Sequence, residues 1–118
     1  ENAFYGENIG WRLETIVYLE LLRRKAGTEN DIYYYQGRSA EADFVVCDGN
    51  KTLAVYQVSY DISNEKTRKR EVKGCIAGAK ATKCDNLFLI TDHESEVIEE
   101  DGYTIQVVPI WEWLTKDA

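Results

Sequence analysis

Five consecutive residues in the second half of the chain, Leu87-Phe88-Leu89-Ile90-Thr91, limit its fold more than any other feature of the sequence. The run has no charged residue and no alternation of polar and apolar side chains. Such a run is typical of a β-strand that is covered on both faces, in contrast to a strand with one face in water. We therefore expect a layered α/β domain in which a central sheet is flanked by helices.

Periodicity and turn residues predict the elements around this strand. Apolar residues at helical spacing predict a first helix over Gly6 to Arg24, and Ser63 or Asn64 can cap a second helix. A polar, acidic loop is predicted from Asp92 to Gly102, and Pro109 ends the strand that follows it. The predicted strands are residues 32–35, 41–47, 53–60, 87–91 and 103–108, and a helical turn closes the chain at 110–114. The order α-β-β-β-α-β-β-α indicates a single domain over residues 1–118.

Charge and composition narrow the classes of function. The net charge of −7 argues against a general nucleic-acid binder, because attraction to phosphates supplies most non-specific affinity. Any contact with DNA would have to come from a local basic patch or from another domain. No apolar stretch approaches the ~20 residues of a membrane span and no signal peptide opens the chain, so we expect a cytoplasmic protein that does not contact membranes.

The sulfur-containing residues carry two further expectations. Cys47, Cys75 and Cys84 form no zinc pattern with His93, and we expect reduced, mostly buried thiols. The chain has no methionine, even at position 1. This absence indicates a domain that belongs to a longer polypeptide.

Polar residues interrupt the apolar faces of two neighbouring central strands. Because side chains alternate along a strand, Gln57 and Ser59 share a face that begins with apolar residues. If the hairpin loop spans Asp48 to Thr52, Asp43 lies opposite Gln57 with the two Cβ atoms about 5 Å apart; a shorter loop would spoil this pairing. Polar groups buried there would need hydrogen-bond partners or a ligand. The alternative, that both side chains face water at the edge of the sheet, fits the pattern equally well.

The two predicted helices contribute further candidate residues. Glu14 borders the apolar stripe of the first helix, so its carboxylate can reach toward the sheet. Lys69 and Lys73 flank the apolar face of the second helix and are candidates for contact with nucleic acid. The interspersed acids Glu65 and Glu71 favour the plainer interpretation, an ion-paired helix surface in water.

Five short motifs, in order and with compatible spacing, carry a resemblance to a known family. They are WRLETIVYLELL at 11–22, EADFV at 41–45, YQVSYD at 56–61, REVK at 70–73 and VPIW at 108–111. The set resembles a domain of unknown function found at the C-terminus of bacterial and archaeal AAA+ family ATPases, and it covers the chain from Gly6 to Leu114. That family is similar to PD-(D/E)XK nucleases such as archaeal Holliday-junction resolvases. The resemblance implies a restriction-endonuclease-like αβββαβ core with a mixed central sheet flanked by helices.

The resemblance also implies roles for the polar residues. In PD-(D/E)XK nucleases a helix-one glutamate and a strand-two aspartate bind Mg²⁺, and Glu14 and Asp43 match these positions. The third-strand E-x-K motif supplies another metal carboxylate and a lysine that positions or activates water, but here it reads Gln57-Val58-Ser59. An amide adds no charge to a Mg²⁺ site, and a serine hydroxyl is neither a base at neutral pH nor a cation. We therefore expect a catalytically degenerate site of Glu14, Asp43, Gln57 and Ser59, with Mg²⁺ bound weakly or not at all.

Three functions remain open from the sequence. The resemblance favours an inactive, nuclease-like accessory or interaction domain that serves the upstream ATPase region of the same polypeptide, alone or as a homo-oligomer. The alternative is an active Mg²⁺-dependent DNA endonuclease in which Lys69 or Lys73 replaces the missing lysine. The third is a scaffold without a polar site. We expect no ATP hydrolysis by this chain, because the stretch from Gly74 to Lys80 lacks the spacing of a phosphate loop.

Overall fold

The computed structural model describes residues 2–38 and 40–116, with their side chains from Arg12 onward. Three helices and six strands follow one another along these residues. They are α1 (Asn2–Lys25), β1 (Asn30–Gln36), β2 (Glu41–Asp48), β3 (Lys51–Val58), α2 (Glu65–Thr82), β4 (Leu87–Thr91), β5 (Glu96–Glu100), β6 (Tyr103–Pro109) and α3 (Ile110–Thr115). Ser39, which the sequence places in a turn after β1, lies outside the described residues.

The six strands form one mixed sheet in the order β1-β2-β3-β4-β6-β5. The first three strands are an antiparallel meander, β4 runs parallel to both β3 and β6, and β5 returns antiparallel to β6 at the far edge. β4 lies in the interior of the sheet, where Leu87, Leu89 and Ile90 are buried. The prediction of an α/β domain with a mixed central sheet flanked by helices is confirmed.

Helices pack on both faces of the sheet. On one face α2 buries Val72 and Cys75 in an apolar cluster that includes Leu89 of β4. On the other face, α1 and α3 bring Val17 and Trp113 into a second cluster that includes Ile90 of β4. Each face therefore has its own core, which is why β4 is apolar from Leu87 to Ile90. In the part of the chain that the structure describes, no helix has both the length and the apolar character needed to cross a membrane.

The acidic segment Asp92 to Gly102 contains a strand, so its prediction as a loop is wrong. Within it, β5 pairs antiparallel with β6 through a turn at Asp101 and Gly102. Both turn residues have positive φ, 55° and 81°, which matches the backbone of a tight hairpin turn. Ile98 is the one buried residue of β5, and an edge strand tolerates charged side chains at its exposed positions. The high charge concealed a strand that needs a single apolar anchor.

Other boundaries differ from the predicted ones by a few residues. α1 begins at Asn2 rather than Gly6, and β3 ends at Val58 rather than Tyr60. The start of α2 is as predicted, because the side chain of Asn64 accepts a hydrogen bond at 3.1 Å from the backbone N–H three residues later.

Two glycines allow α2 to lie close to the sheet. A Cβ atom at Gly74 would overlap the carbonyl oxygen of Glu41 and would lie 2.8 Å from the side-chain nitrogen of Gln57. A Cβ atom at Gly78 would lie within 3.1 Å of side chains on β2 and β3. Glycine is the residue that permits such an approach of backbones. The stretch from Gly74 to Lys80 is therefore helical, as predicted, and its small residues are explained by packing.

The three cysteines are free, as expected. Cys75 and Cys84 are buried, and Cys47 is partly buried. Burial raises the pKa of the Cys75 thiol to about 12, so this group stays protonated near neutral pH. A thiol in that environment behaves as a small apolar side chain.

Arg24 fastens the C-terminal helix α3 to α1. Its guanidinium lies 4.3 Å from the centre of the Trp113 ring and donates a hydrogen bond to the Trp113 carbonyl at 2.6 Å. The same group forms an ion pair with Glu20 at 2.7 Å. Hydrogen bonding to Arg23, together with Arg24, lowers the pKa of Glu20 to about 2. Glu20 therefore belongs to this fastening and not to the polar site on the sheet.

We expect Arg24→Ala to lower the free energy of unfolding by about 1–3 kcal/mol, because it removes a stacked cation, a partly buried hydrogen bond and an ion pair together. Arg23→Ala is the matched control. Arg23 pairs with the same Glu20, but its side chain is 65% exposed, and an exposed pair contributes little to stability because water and salt screen it. Urea denaturation followed by tryptophan fluorescence measures both variants. Equal losses would show that Arg24 does not fasten α3.

Candidate functional site

The polar site predicted on the central strands is built around the amide of Gln57. This side chain is 5% exposed, and both of its polar atoms have partners. Its Oε1 accepts a hydrogen bond from the backbone N–H of Asp43 at 3.0 Å. Its Nε2 donates to the carbonyl of Glu41 at 3.1 Å and to Oε1 of Glu71 at 2.9 Å. An amide supplies both the acceptor and the donors that this arrangement needs, so the interpretation that Gln57 faces water is wrong.

The β2–β3 hairpin brings Asp43 and Gln57 together by a route that differs from the predicted one. Its turn has only two residues, between the paired Asp48 and Lys51. The predicted pairing of Asp43 with Gln57 required a longer loop, from Asp48 to Thr52. Leu53 forms a bulge on β3, however, which shifts the register by one residue. Phe44 and Tyr56 are paired as a result, and the next positions along the two strands are Asp43 and Gln57.

Asp43 is a partly buried residue of β2, and it is crowded by two other carboxylates. Its Oδ2 accepts a hydrogen bond from the backbone N–H of Val58 at 2.8 Å. Burial, with further contributions from Glu14 and Glu71, outweighs that hydrogen bond and raises the pKa of Asp43 to about 8. Glu14 thus lies close to Asp43, and the crowding favours the protonated form of the Asp43 carboxyl.

Ser59 follows the end of β3 and takes no part in the hydrogen bonds of Gln57. Its backbone N–H donates to the carbonyl of Ile90 at 2.9 Å. Its hydroxyl lies 3.5 Å from the carbonyl of Asp61 and donates to it at best weakly. The structure therefore brings Glu14, Asp43 and Gln57 together, whereas the Ser59 hydroxyl is engaged locally.

Lys69 and Lys73 lie on the exposed side of α2. At about 100° per residue, both are roughly 160° around the helix from Glu71, the α2 residue that contacts Gln57. Both lysines line a groove between α2 and the β5–β6 hairpin. The structure does not bring either of them to the hydrogen bonds of Gln57.

Glu71, Glu41 and Tyr34 belong to the site but were not predicted from the sequence. The Tyr34 hydroxyl donates to the carboxylate of Glu41, and this hydrogen bond raises the pKa of Tyr34 to about 12. Glu71 was assigned to the charged surface of helix two. The available signal was Gly74, one turn further along α2. A helix that touches a sheet through a glycine brings the side chains beside that glycine within reach of the strands.

The acidic residues do not fit a Mg²⁺ centre. Among the side chains that the structure describes, no group of three or more His, Cys, Asp or Glu residues is arranged to hold a metal ion. Gln57 turns a donor toward Glu71, and Asp43 directs an oxygen at the Val58 N–H. Mg²⁺ prefers oxygen ligands, and a donor amide together with a carboxyl already hydrogen-bonded to the backbone matches that preference poorly. The predicted ligands Glu14 and Asp43 lie close together.

These features can be set beside known proteins. Residues 10–113 match the family described as a domain of unknown function (DUF4143). The chain belongs to this family. It is also 33% identical over 115 residues to the "Uncharacterized protein MJ1544" of Methanocaldococcus jannaschii, in an alignment that covers 92% of the chain and 25% of the archaeal protein. The chain thus spans about a quarter of the length of that relative.

The DUF4143 match covers every residue of the polar site, from Glu14 to Glu71. The expected resemblance to a domain of unknown function is confirmed. The AAA+ ATPase context and membership of the PD-(D/E)XK superfamily stay predictions, because neither the family description nor the name of the archaeal relative states an activity.

Proposed function

We propose that this DUF4143 domain is a nuclease-like accessory domain that does not hydrolyse phosphodiesters and that serves the ATPase region of a longer polypeptide through protein contacts. The observation that carries the proposal is the hydrogen bonding of Gln57. This residue occupies the position of the third-strand carboxylate in the PD-(D/E)XK pattern, and its amide is buried and fully engaged with Asp43, Glu41 and Glu71. A side chain held in this way supports the sheet and the approach of α2.

The chemistry of the site supports the same proposal. Gln57 brings no charge to a metal, and Ser59 brings neither a base nor a cation to an attacking water. Loss of a positioned proton-transfer group costs about 10²–10⁴ in rate.

The length of the archaeal relative supports the accessory role. The alignment covers 92% of this chain but only 25% of that protein, so the relative carries about three times as much chain outside the aligned region. A domain with a disabled catalytic position and a large covalent neighbour is well placed to act by binding. The identity of that neighbour as an AAA+ ATPase region is part of the proposal.

A second candidate is an active DNA endonuclease. The observation in its favour is the crowding of Glu14, Asp43 and Glu71, since perturbed carboxylates gather at catalytic sites. The arrangement of these acids and the placement of Lys69 and Lys73 on the opposite side of α2 count against it.

We expect no cleavage when the domain is incubated with branched and linear DNA in the presence of Mn²⁺ or Mg²⁺. Gel electrophoresis of labelled DNA measures the reaction, with Asp43→Ala as the comparison and Asp48→Ala, at the exposed end of the same strand, as the matched control. If the wild-type domain cleaves DNA, and the cleavage is lost in Asp43→Ala but kept in Asp48→Ala, the proposal is wrong and the domain is an endonuclease. Calorimetric titration with Mn²⁺ is a second readout, and we expect weak binding or none.

A further inference from the structure

The groove that contains Lys69 and Lys73 is a second candidate surface. It lies between α2 and the β5–β6 hairpin and has a volume of about 810 Å³. Its floor is apolar and includes Val72 and Ile76 of α2 together with Ile98 of β5. A groove of this size with an apolar floor is of the kind that proteins use to bind ligands and peptides.

The α2 rim of the groove carries four basic residues and one acid, Glu65, and the ion pairing of the basic residues is incomplete. Near one end Arg68 forms a bidentate pair with Glu96, with N–O distances of 2.7 and 2.8 Å. Near the other end Lys80 pairs with Asp101 at 2.7 Å. Both pairs bridge α2 and the β5–β6 hairpin.

Two further lysines stand on this rim between the bridging pairs. Among the described residues, neither Lys69 nor Lys73 has an ion-pair partner, although both line the groove. The predicted ion pairing with the interspersed acids of helix two is therefore seen for Arg70, which pairs with Glu71 at 3.3 Å, but not for these two lysines. They lie four residues apart on α2 and so project from the same side of the helix.

The opposite wall of the groove is acidic, which bears on the class of partner. Glu100 lines it beside Asp101, whose carboxylate pairs with Lys80, and the chain as a whole carries a net charge of −7. A nucleic-acid strand presents phosphates along its whole length, so one wall would attract it and the other would repel it. A polypeptide can place acidic side chains on one edge only and can cover the apolar floor with the rest.

The neighbouring edge strand argues against dimerisation of the chain through the β5 edge. β5 has the sequence EVIEE, and three of its five residues are glutamates. Antiparallel pairing of two β5 edges would bring glutamates against glutamates, and like charges directly opposite each other destabilise a sheet. Charged residues of this kind commonly protect an exposed edge from pairing.

We propose that the groove binds a polypeptide segment of another protein or domain, with apolar side chains on the floor and acidic side chains against Lys69 and Lys73. This inference does not depend on the Gln57 site, so the DNA cleavage experiment and a binding experiment are read separately. It adds the class of partner that an accessory domain of this kind would take.

The test uses a labelled helical peptide of about four turns, with leucines on one face and two glutamates at the same four-residue spacing as Lys69 and Lys73. Fluorescence anisotropy gives the affinity, and amide NMR shifts at Val72 and Ile98 locate the binding. Lys69→Glu with Lys73→Glu is expected to weaken binding by about tenfold or more, which corresponds to about 1.4 kcal/mol.

The matched control is Lys51→Glu with Lys83→Glu, which makes the same change of charge at exposed positions outside the groove. It should leave the affinity within about twofold, because long-range charge effects are screened by salt. Lys69→Gln with Lys73→Gln removes the charges without reversing them and should give an intermediate loss. Circular dichroism establishes that all variants are folded.

Three outcomes would overturn the inference. The first is no binding of the acidic peptide. The second is equal affinity of the variant with glutamates at positions 69 and 73 and of the control variant with glutamates at positions 51 and 83. The third is tighter binding of a peptide with lysines in place of the glutamates. A single-stranded oligothymidine is the competing probe. If it binds while the acidic peptide does not, and the Lys69 and Lys73 substitutions abolish that binding, the groove is a nucleic-acid site instead.

Discussion

Gln57→Glu is expected to lower the free energy of unfolding by about 3–5 kcal/mol at neutral to alkaline pH, the cost of an uncompensated buried charge. The Nε2 atom of Gln57 donates to the carbonyl of Glu41 and to the carboxylate of Glu71. A carboxylate at the same place has no proton to donate and faces two acceptors. Burial at 5% exposure leaves little water to compensate.

The loss should depend on pH in a defined direction. The folded state raises the pKa of the carboxyl group introduced by Gln57→Glu above its unfolded value, because burial and the nearby Glu71 both disfavour its charge. The protonated form keeps one donor, so the variant is closest to the wild type in stability at acid pH. Its relative stability then falls as pH rises through the folded-state pKa. Urea denaturation at several pH values measures this trend.

A compensating substitution tests the contact itself. Glu71→Gln in the Gln57→Glu background places an amide donor opposite the new carboxylate, and we expect it to recover about 1–2 kcal/mol. The coupling free energy from the double-mutant cycle should therefore be favourable. Gln106→Glu, the same change at an exposed position of β6, is the control and should stay within about 0.5 kcal/mol of the wild type. A Gln57→Glu variant that loses no stability, or that shows no coupling to Glu71, would contradict the arrangement of the site.

Much of the fold could be predicted because apolar patterning reports burial directly. The run Leu87–Thr91 indicated the covered central strand with the bounds of β4, and the cap at Asn64 indicated the start of α2. β5 was missed because an edge strand needs few buried apolar residues, so its sequence pattern is weak. Ile98 anchors it, whereas its glutamates have the composition of a solvated loop.

The site was less accessible from sequence because it depends on distances between elements. The alternation of side chains placed Gln57 and Asp43 on the same face of two neighbouring strands. The bulge at Leu53, which brings these two residues opposite each other, has no sequence signature of its own. Glu71 reaches Gln57 only because Gly74 lets α2 touch β2. A charged helical residue is ordinarily assigned to solvent, and a single sequence does not show how closely a helix approaches a sheet.

Asp43→Asn is expected to stabilise the domain at neutral and alkaline pH. Burial and the charges of Glu14 and Glu71 raise the pKa of Asp43 to about 8, from an ordinary value of 3.8. By linkage this difference corresponds to at most roughly 6 kcal/mol, and residual solvent around a partly exposed group reduces the expected gain to about 2–4 kcal/mol. The asparagine oxygen can still accept the hydrogen bond from the Val58 N–H.

The direction of the pH dependence follows from the raised pKa. The folded state binds a proton on Asp43 more tightly than the unfolded chain does, so its stabilising contribution is complete below the unfolded pKa and is lost as pH rises through the folded one. The advantage of Asp43→Asn over the wild type should therefore grow from about pH 4 to about pH 8 and be constant above that range. Urea denaturation in the presence of EDTA measures the difference without interference from bound metal.

Asp48→Asn, the same change at the exposed end of β2, is the control and should alter stability by less than about 0.5 kcal/mol at any pH. An advantage of Asp43→Asn that is equal in acid and in alkali would contradict the crowding of carboxylates, as would a loss of stability at both. If the stabilisation is found, the wild-type Asp43 makes the folded domain less stable than an asparagine at the same position would. Natural chains keep such residues mainly where function requires them. If Asp43→Asn stabilises the domain and also abolishes its non-covalent binding to the rest of a longer polypeptide, the acidic site has a role in the accessory function proposed for the domain.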